Sequence, residues 1–348
     1  MHAAIFKGLR QIEFAEVSAP EINDFQVLIN VEACGICGSD LHRFREAMAT
    51  ERGMVVYPEG SVMGHEFSGT VAAAGKSVTS AKVGDRVVGI RNGGGMAQQV
   101  AVYDYPGTLC KIPDGVSFAE AATTEPMADA LRIARLSEPR DGETVVVFGM
   151  GIIGLGVIQA YRAMGMKLDK LIAVDTSDVR LNKALEVGAD HVFNAKKQDV
   201  VGAITALCGT TKTVLDEVAP KVDVVCDCVG YINRMPGVPV LQTALDLICD
   251  RTGRIMCFGI FESNVTLNLH NLIFKQPKLI GVMGYEPQDV ADSLAMMADG
   301  RIDRASLVTH QFPLEQAQEA FQAQDNYADS IKVVLLPQRA AAASAEFA

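Results

Sequence analysis

The spacing of apolar and polar residues differs between two parts of the chain. Roughly the first 120 residues contain short apolar or alternating runs that end at Gly, Asp or Asn, which predicts strands joined by turns. The clearest of these runs read QVLINVEACGI, SGTVAAAG and GDRVVGIR. The next segment, AEAATTEPMADALRIARL, has helical spacing instead, with Pro126 near the helix start, where its missing N–H is tolerated.

From about residue 142 onward, predicted strands and helices alternate. The order begins with the strand TVVVFG, the helix IIGLGVIQAYRAMG, the strand KLIAVD and the helix DVRLNKALEVG. It continues through VDVVCDCVG, PVLQTALDLICDRTG, RIMCFGI and LIGVMGY, and ends with two amphipathic helices and the strand SIKVVLLP. This alternation is typical of an α/β protein with a doubly wound parallel sheet, which binds ligands at the carboxyl ends of its strands.

Length and composition narrow the class of protein. A chain of 348 residues exceeds the size at which one core keeps growing, so we expect two domains. The net charge is −11 and no basic stripe is present, which disfavours nucleic acid and anionic membranes as partners. The apolar stretches are too short to span a membrane, and the N-terminal sequence is unlike a signal peptide, so we expect a cytoplasmic protein. The low-complexity tail 338–348 is predicted to be disordered.

A glycine pattern marks a candidate nucleotide site. Gly149, Gly151 and Gly154 form G-x-G-x-x-G after a predicted strand and at the start of a predicted helix. There they allow a tight turn, close approach of a pyrophosphate and close helix packing. Asp175 ends the next strand about 20 residues further on, where a carboxylate accepts the ribose hydroxyls and repels a 2′-phosphate. This favours NAD over NADP, although Arg180 could pair with such a phosphate or stack on adenine.

The stretch CGICGSDLH contains the first candidate metal ligands. Its Cys34 and Cys37 could form a redox pair, half of a structural zinc site or part of a catalytic metal site. No second cysteine pair follows at usable spacing, whereas His65 and Glu66 follow in VMGHEFSG. Cysteine, histidine and a carboxylate with one open position are typical of a catalytic zinc. We interpret Cys34 as a packed core thiol.

Several motifs in this order resemble the zinc-dependent medium-chain dehydrogenase (alcohol dehydrogenase) family. They are CGICGSDLHRF, GHEFSGTVAAAG, VGDRVVG, CKIPDGVS, EPMADALRIA and the glycine motif, and the nearest branch is that of sorbitol, threonine and butanediol dehydrogenases. The resemblance implies a GroES-like β-barrel catalytic domain over 1–141, completed by 286–337, and a Rossmann domain over 142–285. It also implies NAD-dependent oxidation of a secondary alcohol or polyol, and a homodimer or homotetramer.

The resemblance also assigns roles to site residues. It makes Cys37 and His65 zinc ligands, and Asp40 the carboxylate that holds the ligand histidine. Glu66 and Glu125 stand where the polyol branch has carboxylates, and direct binding of zinc by either stays open. Ser39 and His42 resemble a relay that carries the alcohol proton to solvent. Beyond the residues already named, the implied cofactor contacts are Ile152, Ile153, Val229, Phe258, Gly259 and Val282.

The chain departs from the family pattern after VGDRVVG. The family's structural zinc lobe has four closely spaced cysteines there, whereas this chain has Cys110 alone, so we expect one zinc. The segment 43–62 matches nothing diagnostic and is expected to line the substrate cleft.

Other functions stay open at this point. Arg43, Arg45 and Arg52 would suit a sugar-phosphate dehydrogenase. A hydroxy amino acid dehydrogenase, a zinc-free reductase of the quinone reductase type and a non-catalytic nucleotide-binding protein are further alternatives. A cysteine, a histidine and a glutamate form a more anionic shell than two imidazoles would. We therefore hypothesise that the zinc is a weaker Lewis acid and prefers a substrate with a second oxygen, such as a vicinal diol.

Overall fold

The computed structural model describes residues 1–45, 58–213, 216–232 and 237–339. The chain divides into two compact units, Met1–Pro126 with Glu286–Ala348, and Met127–Tyr285. The expected boundary at 141/142 lies further along the chain than this division, which assigns most of the preceding helix to the second unit. Most of segment 43–62 and of the tail lies outside the described residues. Within them, no helix is long and apolar enough to cross a membrane.

The first unit is built mainly from antiparallel strands. A seven-stranded sheet has the order β16-β17-β3-β4-β5-β7, with β6 also paired to β3, and β1 pairs with β2. Its strands are β1 His2–Gly8, β2 Gln11–Glu16, β3 Gln26–Gly35, β4 Glu66–Ala74, β5 Arg86–Ile90, β6 Gln99–Tyr103, β7 Leu109–Lys111, β16 Val308–Pro313 and β17 Lys332–Leu336. Its helices are α1 Gly38–Arg45, α2 Phe118–Ala121, the start of α3 Thr124–Leu136, α9 Pro287–Ala298 and α10 Ala317–Asp325.

Strand β3 shows why the first unit folds around this sheet. Val27, Ile29 and Val31 alternate with half-buried residues and are fully buried, as the alternating pattern predicts. Burying each such side chain contributes about 1.5–3 kcal/mol relative to exposure. β3 pairs antiparallel with β4 and β17, so strands from both ends of the chain share one core. The carboxyl end of β3 leads directly into the CGICGSDLH stretch.

Two local predictions were wrong. The CGICGSDLH region was expected to be strand and turn, but residues from Gly38 form the helix α1. The Asp40 carboxylate accepts the Cys37 N–H at 3.0 Å and so satisfies a donor at the helix start. The segment AEAATTEPMADALRIARL, predicted as one helix, forms two helices, α2 and α3. The hydroxyl groups of Thr123 and Thr124 donate back to the Glu120 and Ala121 carbonyls at the break.

The second unit contains a six-stranded parallel sheet with the order β10-β9-β8-β13-β14-β15. The chain starts at the central β8, runs to one edge, and returns to β13 on the other side of β8, as in dinucleotide-binding folds. Its strands are β8 Thr144–Phe148, β9 Lys170–Asp175, β10 His191–Asn194, β13 Val224–Asp227, β14 Arg254–Cys257 and β15 Lys278–Gly281, with the small pair β11 Thr210–Lys212 and β12 Val218–Pro220. Its helices besides α3 are α4 Ile152–Ala163, α5 Asp178–Glu186, α6 Val200–Cys208, α7 Val240–Leu247 and α8 His270–Lys275.

The predicted architecture agrees with the structure. β8 is buried along its whole length, as expected for a central parallel strand covered on both faces. The order of strands reverses between β8 and β13, so the carboxyl ends of these two strands mark the point at which such sheets bind ligands.

Candidate functional site

Three of the predicted metal ligands converge in the first unit. The ligand atoms of Cys37, His65 and Glu66 lie within 4.8 Å of one another. Cys37 comes from the turn between β3 and α1, whereas His65 immediately precedes β4 and Glu66 is its first residue. Gly64 has φ +88°, and a Cβ there would lie 2.7 Å from Cys34 Sγ, so only glycine fits before His65. Cys34 is fully buried, in agreement with its interpretation as a core thiol.

Asp40 lies on the far side of the His65 imidazole from Glu125. His65 Nδ1 is 3.9 Å from Asp40 Oδ1, and its Nε2 is 4.0 Å from Glu125 Oε1. Burial alone would lower the pKa of His65, but Asp40, Glu125 and Glu66 outweigh it and the pKa is raised. The imidazole is therefore held between carboxylates, with Nε2 on the side that carries Glu125.

The acidic surroundings also act on the thiol. Burial raises the pKa of Cys37 well above its usual value, and Glu66 and Glu125 raise it further. The Cys37 thiol is therefore protonated when no metal is bound. A bound cation would reverse this balance, because thiolates are the form of cysteine that binds metals.

Glu66 has a cationic partner that the sequence analysis missed. Both side chains of the Glu66–Lys332 pair are fully buried, and Lys332 Nζ contacts Glu66 Oε2. Lys332 Nζ also donates to the Ile36 carbonyl at 2.9 Å. Within the described parts of the chain, Glu66 Oε1 has no hydrogen-bond partner. The sequence feature that could have indicated this partner is the lysine that begins the otherwise apolar run KVVLL. That run was interpreted only as a strand.

Ser39 and His42 lie one helical turn apart on α1. Both are half-buried, whereas Asp40, Leu41 and Phe44 are buried. The two predicted relay residues therefore share the more exposed face of the helix.

The donor set fits a zinc ion. It combines a thiol, an imidazole whose Nδ1 lies 3.9 Å from a buried carboxylate, and a second buried carboxylate oxygen without a hydrogen-bond partner among the described residues, and such ligand types occur together at catalytic zinc sites. Cys37, His65 and Glu66 would hold the ion, with Glu125 beside His65. Cys110, the lone cysteine of the altered lobe region, lies on β7.

The glycine motif of the second unit forms a tight turn between β8 and α4. Gly149 has φ +87° after β8, and Gly151 is the N-cap of α4. A side chain at Gly154 would overlap the Gly149 carbonyl oxygen, which explains the third glycine. Gly151 differs, because the nearest atom to a Cβ there is Arg180 Nη1 at 4.0 Å. This leaves room for a phosphate beside the first turn of the helix, where the half-buried Ile152 and Ile153 lie.

Asp175 ends β9 beside this turn. Its Oδ2 accepts the Met150 N–H at 2.6 Å, and its Oδ1 accepts the N–H groups of Thr176 and Ser177 at 2.6 and 2.8 Å. The carboxylate is therefore fixed against the phosphate turn, and its oxygens have lone pairs left for ribose hydroxyls.

The other predicted cofactor contacts follow β13, β14 and β15. A Cβ at Gly149 would lie 2.5 Å from Val229 Cγ2, so Val229 packs on the first glycine of the motif. Phe258 and Gly259 donate their N–H groups to the Asp227 carbonyl at 3.1 and 3.0 Å, and Val282 donates to the Cys257 carbonyl at 3.0 Å. All four residues thus lie at the carboxyl edge of the sheet.

A thiol–imidazole–carboxylate cluster in a β-rich unit and a dinucleotide turn in a parallel α/β unit define a class, the metal-dependent nicotinamide oxidoreductases. Comparisons with known proteins narrow it. Residues 23–129 match the alcohol dehydrogenase GroES-like domain, and residues 153–299 match the zinc-binding dehydrogenase model.

Similar proteins cover almost the whole chain. Sorbitol dehydrogenase of Bacillus subtilis (strain 168) is 30% identical over 97% of this chain and 98% of its own length. (R,R)-butanediol dehydrogenase of the same organism is also 30% identical, over 97% of this chain and 100% of its own. The crystal structure of 2R,3R-butanediol dehydrogenase from Bacillus subtilis superposes with a TM-score of 0.78 at 29% identity, covering 97% of this chain and 99% of that one.

The chain belongs to the zinc-dependent medium-chain dehydrogenase family, in the branch that contains sorbitol and butanediol dehydrogenases. The predicted fold class, family and alcohol oxidoreductase activity are confirmed.

Proposed function

We propose that this protein oxidises a polyol or vicinal diol at one of its secondary hydroxyl groups with NAD, or reduces the matching ketone. The observation that carries the proposal is the cluster of Cys37, His65 and Glu66 with Glu125 beside it. Three acidic or sulfur groups around one ion would weaken its Lewis acidity. A substrate that offers two neighbouring oxygens compensates for this by chelation. The names of the two Bacillus subtilis relatives, which refer to sorbitol and (R,R)-butanediol, support the same substrate class.

Each residue near the cluster has a distinct task in this proposal. Cys37, His65 and Glu66 hold a single zinc, and Asp40 keeps the imidazole oriented. Ser39 and His42 carry the hydroxyl proton from the substrate to solvent along the exposed face of α1. Zinc supplies a Lewis acid for the alcohol oxygen, and the nicotinamide supplies the hydride acceptor.

The cofactor is proposed to be NAD rather than NADP. Asp175 is fixed by three backbone N–H groups where the adenosine ribose would bind, and its negative charge would repel a 2′-phosphate. Arg180 lies near Gly151, at the phosphate side of the turn, where it can pair with the pyrophosphate instead.

The arginines considered for a sugar phosphate have other contacts. The Arg43 guanidinium lies 4.5 Å from the centroid of the Phe6 ring, and Arg45 forms an ion pair with Asp325. Arg52 lies outside the described residues. The alternative of a zinc-free reductase gains no support, because the cysteine, histidine and glutamate that it would lack are gathered in one cluster.

A homo-oligomer assembled through the second unit completes the proposal. β15 is one of the two edge strands of the parallel sheet as described, and Leu279 on it is 42% exposed. Ile273 and Met283 nearby in sequence are 66% and 91% exposed. An open strand edge with exposed apolar side chains is a surface that a second copy could cover. Light scattering that gives the mass of two or four chains would support this arrangement, and a monomer would refute it.

We further place the enzyme in the cytoplasm. All eight cysteines are free thiols, which suits a reducing compartment.

A substrate screen tests the proposed activity. NADH formation is measured with acyclic polyols, vicinal diols, simple secondary alcohols, hydroxy amino acids and sugar phosphates, before and after treatment with a chelator. We expect the highest kcat/KM with a polyol or diol, and loss of activity that returns when zinc is added. Equal turnover of simple secondary alcohols would refute the chelation argument, and activity that resists complete removal of metal would refute the zinc mechanism. Asp175→Ala should reduce the preference for NAD over NADP by about tenfold.

A further inference from the structure

Asp227 lies at the point where the order of the parallel strands reverses. It is the last residue of β13 and is paired with Phe148 of β8 on one side and Cys257 of β14 on the other. Its side chain is fully buried. The sequence of this strand, VDVVCDCVG, predicts no role for the acidic residue in it.

Asp227 anchors two turns at once. Its Oδ1 accepts the N–H groups of Val229 and Gly230 at 3.0 and 2.8 Å. Its backbone carbonyl accepts the N–H groups of Phe258 and Gly259 at 3.1 and 3.0 Å. The turn after β13 and the turn after β14 are therefore both fixed to one residue.

The turns after β13 and β14 contact each other through their backbones. Gly230 has φ +68°, and a Cβ at Gly259 would overlap its backbone. Val229 in turn packs on Gly149, the first glycine of the phosphate turn. A displacement of the Val229–Gly230 turn would therefore be passed to the other two turns, because Gly259 contacts its backbone directly and Gly149 contacts the stiff, β-branched Val229 side chain.

Burying the charged carboxylate of Asp227 at this position costs free energy. Within the described residues its Oδ2 has no hydrogen-bond partner. Burial raises the pKa of Asp227 to about 6, against the effect of the two N–H groups that it accepts. Its titratable neighbours are Cys226 and Cys228 on its own segment and Cys257 on β14. Burial raises the pKa of each of these thiols, and the charge on Asp227 raises it further.

We propose that Asp227 is a positioning residue of the dinucleotide site, whose buried negative charge holds the turns after β8, β13 and β14 in the arrangement that binds the cofactor. The proposal rests on the proposed binding of NAD by the second unit. An asparagine could make the same two bonds through its oxygen, but bonds to a charged acceptor are about twice as strong. Protonation of the carboxylate weakens them, so the affinity for NAD should fall as the pH drops through about 6.

Two variants separate the charge from the hydrogen bonds. Asp227→Ala removes the acceptor, and Asp227→Asn keeps an acceptor oxygen without the charge. The matched control is Asp223→Ala, because Asp223 precedes the same strand and accepts the Thr144 N–H at 2.9 Å at the opposite end of the sheet. The dissociation constant of NAD is measured by calorimetry on the full chain between pH 5 and 8, without a substrate.

We expect Asp227→Ala to weaken NAD binding at pH 8 about tenfold or more, since two charge-assisted bonds are lost. Asp227→Asn should bind NAD several-fold more weakly at pH 8 and show little change down to pH 5. The wild-type affinity should approach that of the Asn variant as the pH falls. Asp223→Ala should bind NAD as the wild type does.

The proposal would be overturned if Asp227→Ala bound NAD as tightly as the wild type does. It would also be overturned if the affinity of Asp227→Asn for NAD fell with pH in the same way as that of the wild type. If the Ala variant does not fold, the pH profile of the Asn variant decides alone. Failure of the wild type to bind NAD at any pH would instead overturn the proposed function.

Discussion

The candidate metal centre of the first unit and the candidate nucleotide turn of the second are built in opposite ways. Around the metal centre, buried side chains meet, including Glu66, Asp40 and Lys332 at full burial. At the nucleotide turn, three glycines have no side chain, and the space beside them is occupied by Val229 at Gly149 and by backbone at Gly154, and is open at Gly151. The first site would bind its ligand through the side chains that it brings together, and the second through the space that it leaves for a phosphate.

This difference determines how each site responds to substitution. Charges buried at the metal centre require compensation by other charges, so a change in one residue is felt by its partners. At the nucleotide turn, the effect of a substitution depends on what already occupies the space of the new side chain. The following changes use this contrast, from the largest expected effect to the smallest.

The two cysteines of CGICGSDLH offer the sharpest test at the metal centre. Cys37→Ser should abolish zinc binding and lower kcat/KM about a thousandfold, because the Lewis acid contributes several kcal/mol to the transition state. Cys34→Ser, at a fully buried position three residues earlier, should retain zinc while lowering the melting temperature. Metal analysis and thermal unfolding distinguish them. Full zinc content in Cys37→Ser would contradict the assignment.

The buried ion pair provides the second test. Lys332→Met leaves the Glu66 carboxylate without its cation and should lower the free energy of unfolding of the metal-free protein by about 3–5 kcal/mol. Adding Glu66→Gln should restore much of that loss, because the uncompensated charge disappears. Denaturant unfolding of both single variants and the double variant measures the coupling. Simply additive effects would show that the two side chains do not depend on each other.

Substitutions at two glycines of the nucleotide motif should have different effects. Gly151→Ala should fold normally, because Ala accepts φ −77° and the nearest atom is 4.0 Å away, yet it should bind NAD about tenfold more weakly, since its methyl group lies where the phosphate approaches. Gly154→Ala should lower the melting temperature, because its Cβ overlaps the Gly149 carbonyl. Calorimetry and thermal unfolding report these two effects separately. Equal loss of stability in both variants would contradict the distinction.

The sequence allowed predictions where a group of residues at a given spacing is typical of one kind of site. Cys37, His65 and Glu66 could be predicted because soft and acidic ligands cluster for few other reasons. The glycine motif and Asp175 could be predicted because their spacing follows strand and helix lengths. The parallel sheet followed from the regular alternation of strands and helices.

Contacts that depend on topology could not be predicted. Lys332 meets Glu66 only because β17 returns beside β3 from the far end of the chain, which no local pattern shows. Asp227 gains its position from three strands that end together. The helix α1 was missed because eight residues are too few for a clear period, and its start depends on the hydrogen bond between Asp40 and Cys37.

Zinc X-ray absorption spectroscopy of the purified protein tests the central claim most directly. If Cys37, His65 and Glu66 bind one ion, the spectrum should show about one zinc per chain. It should fit a single sulfur at about 2.3 Å together with nitrogen and oxygen ligands at about 2.0–2.2 Å. A site fitted by four sulfur atoms, a site without sulfur, or active protein without zinc would contradict the claim.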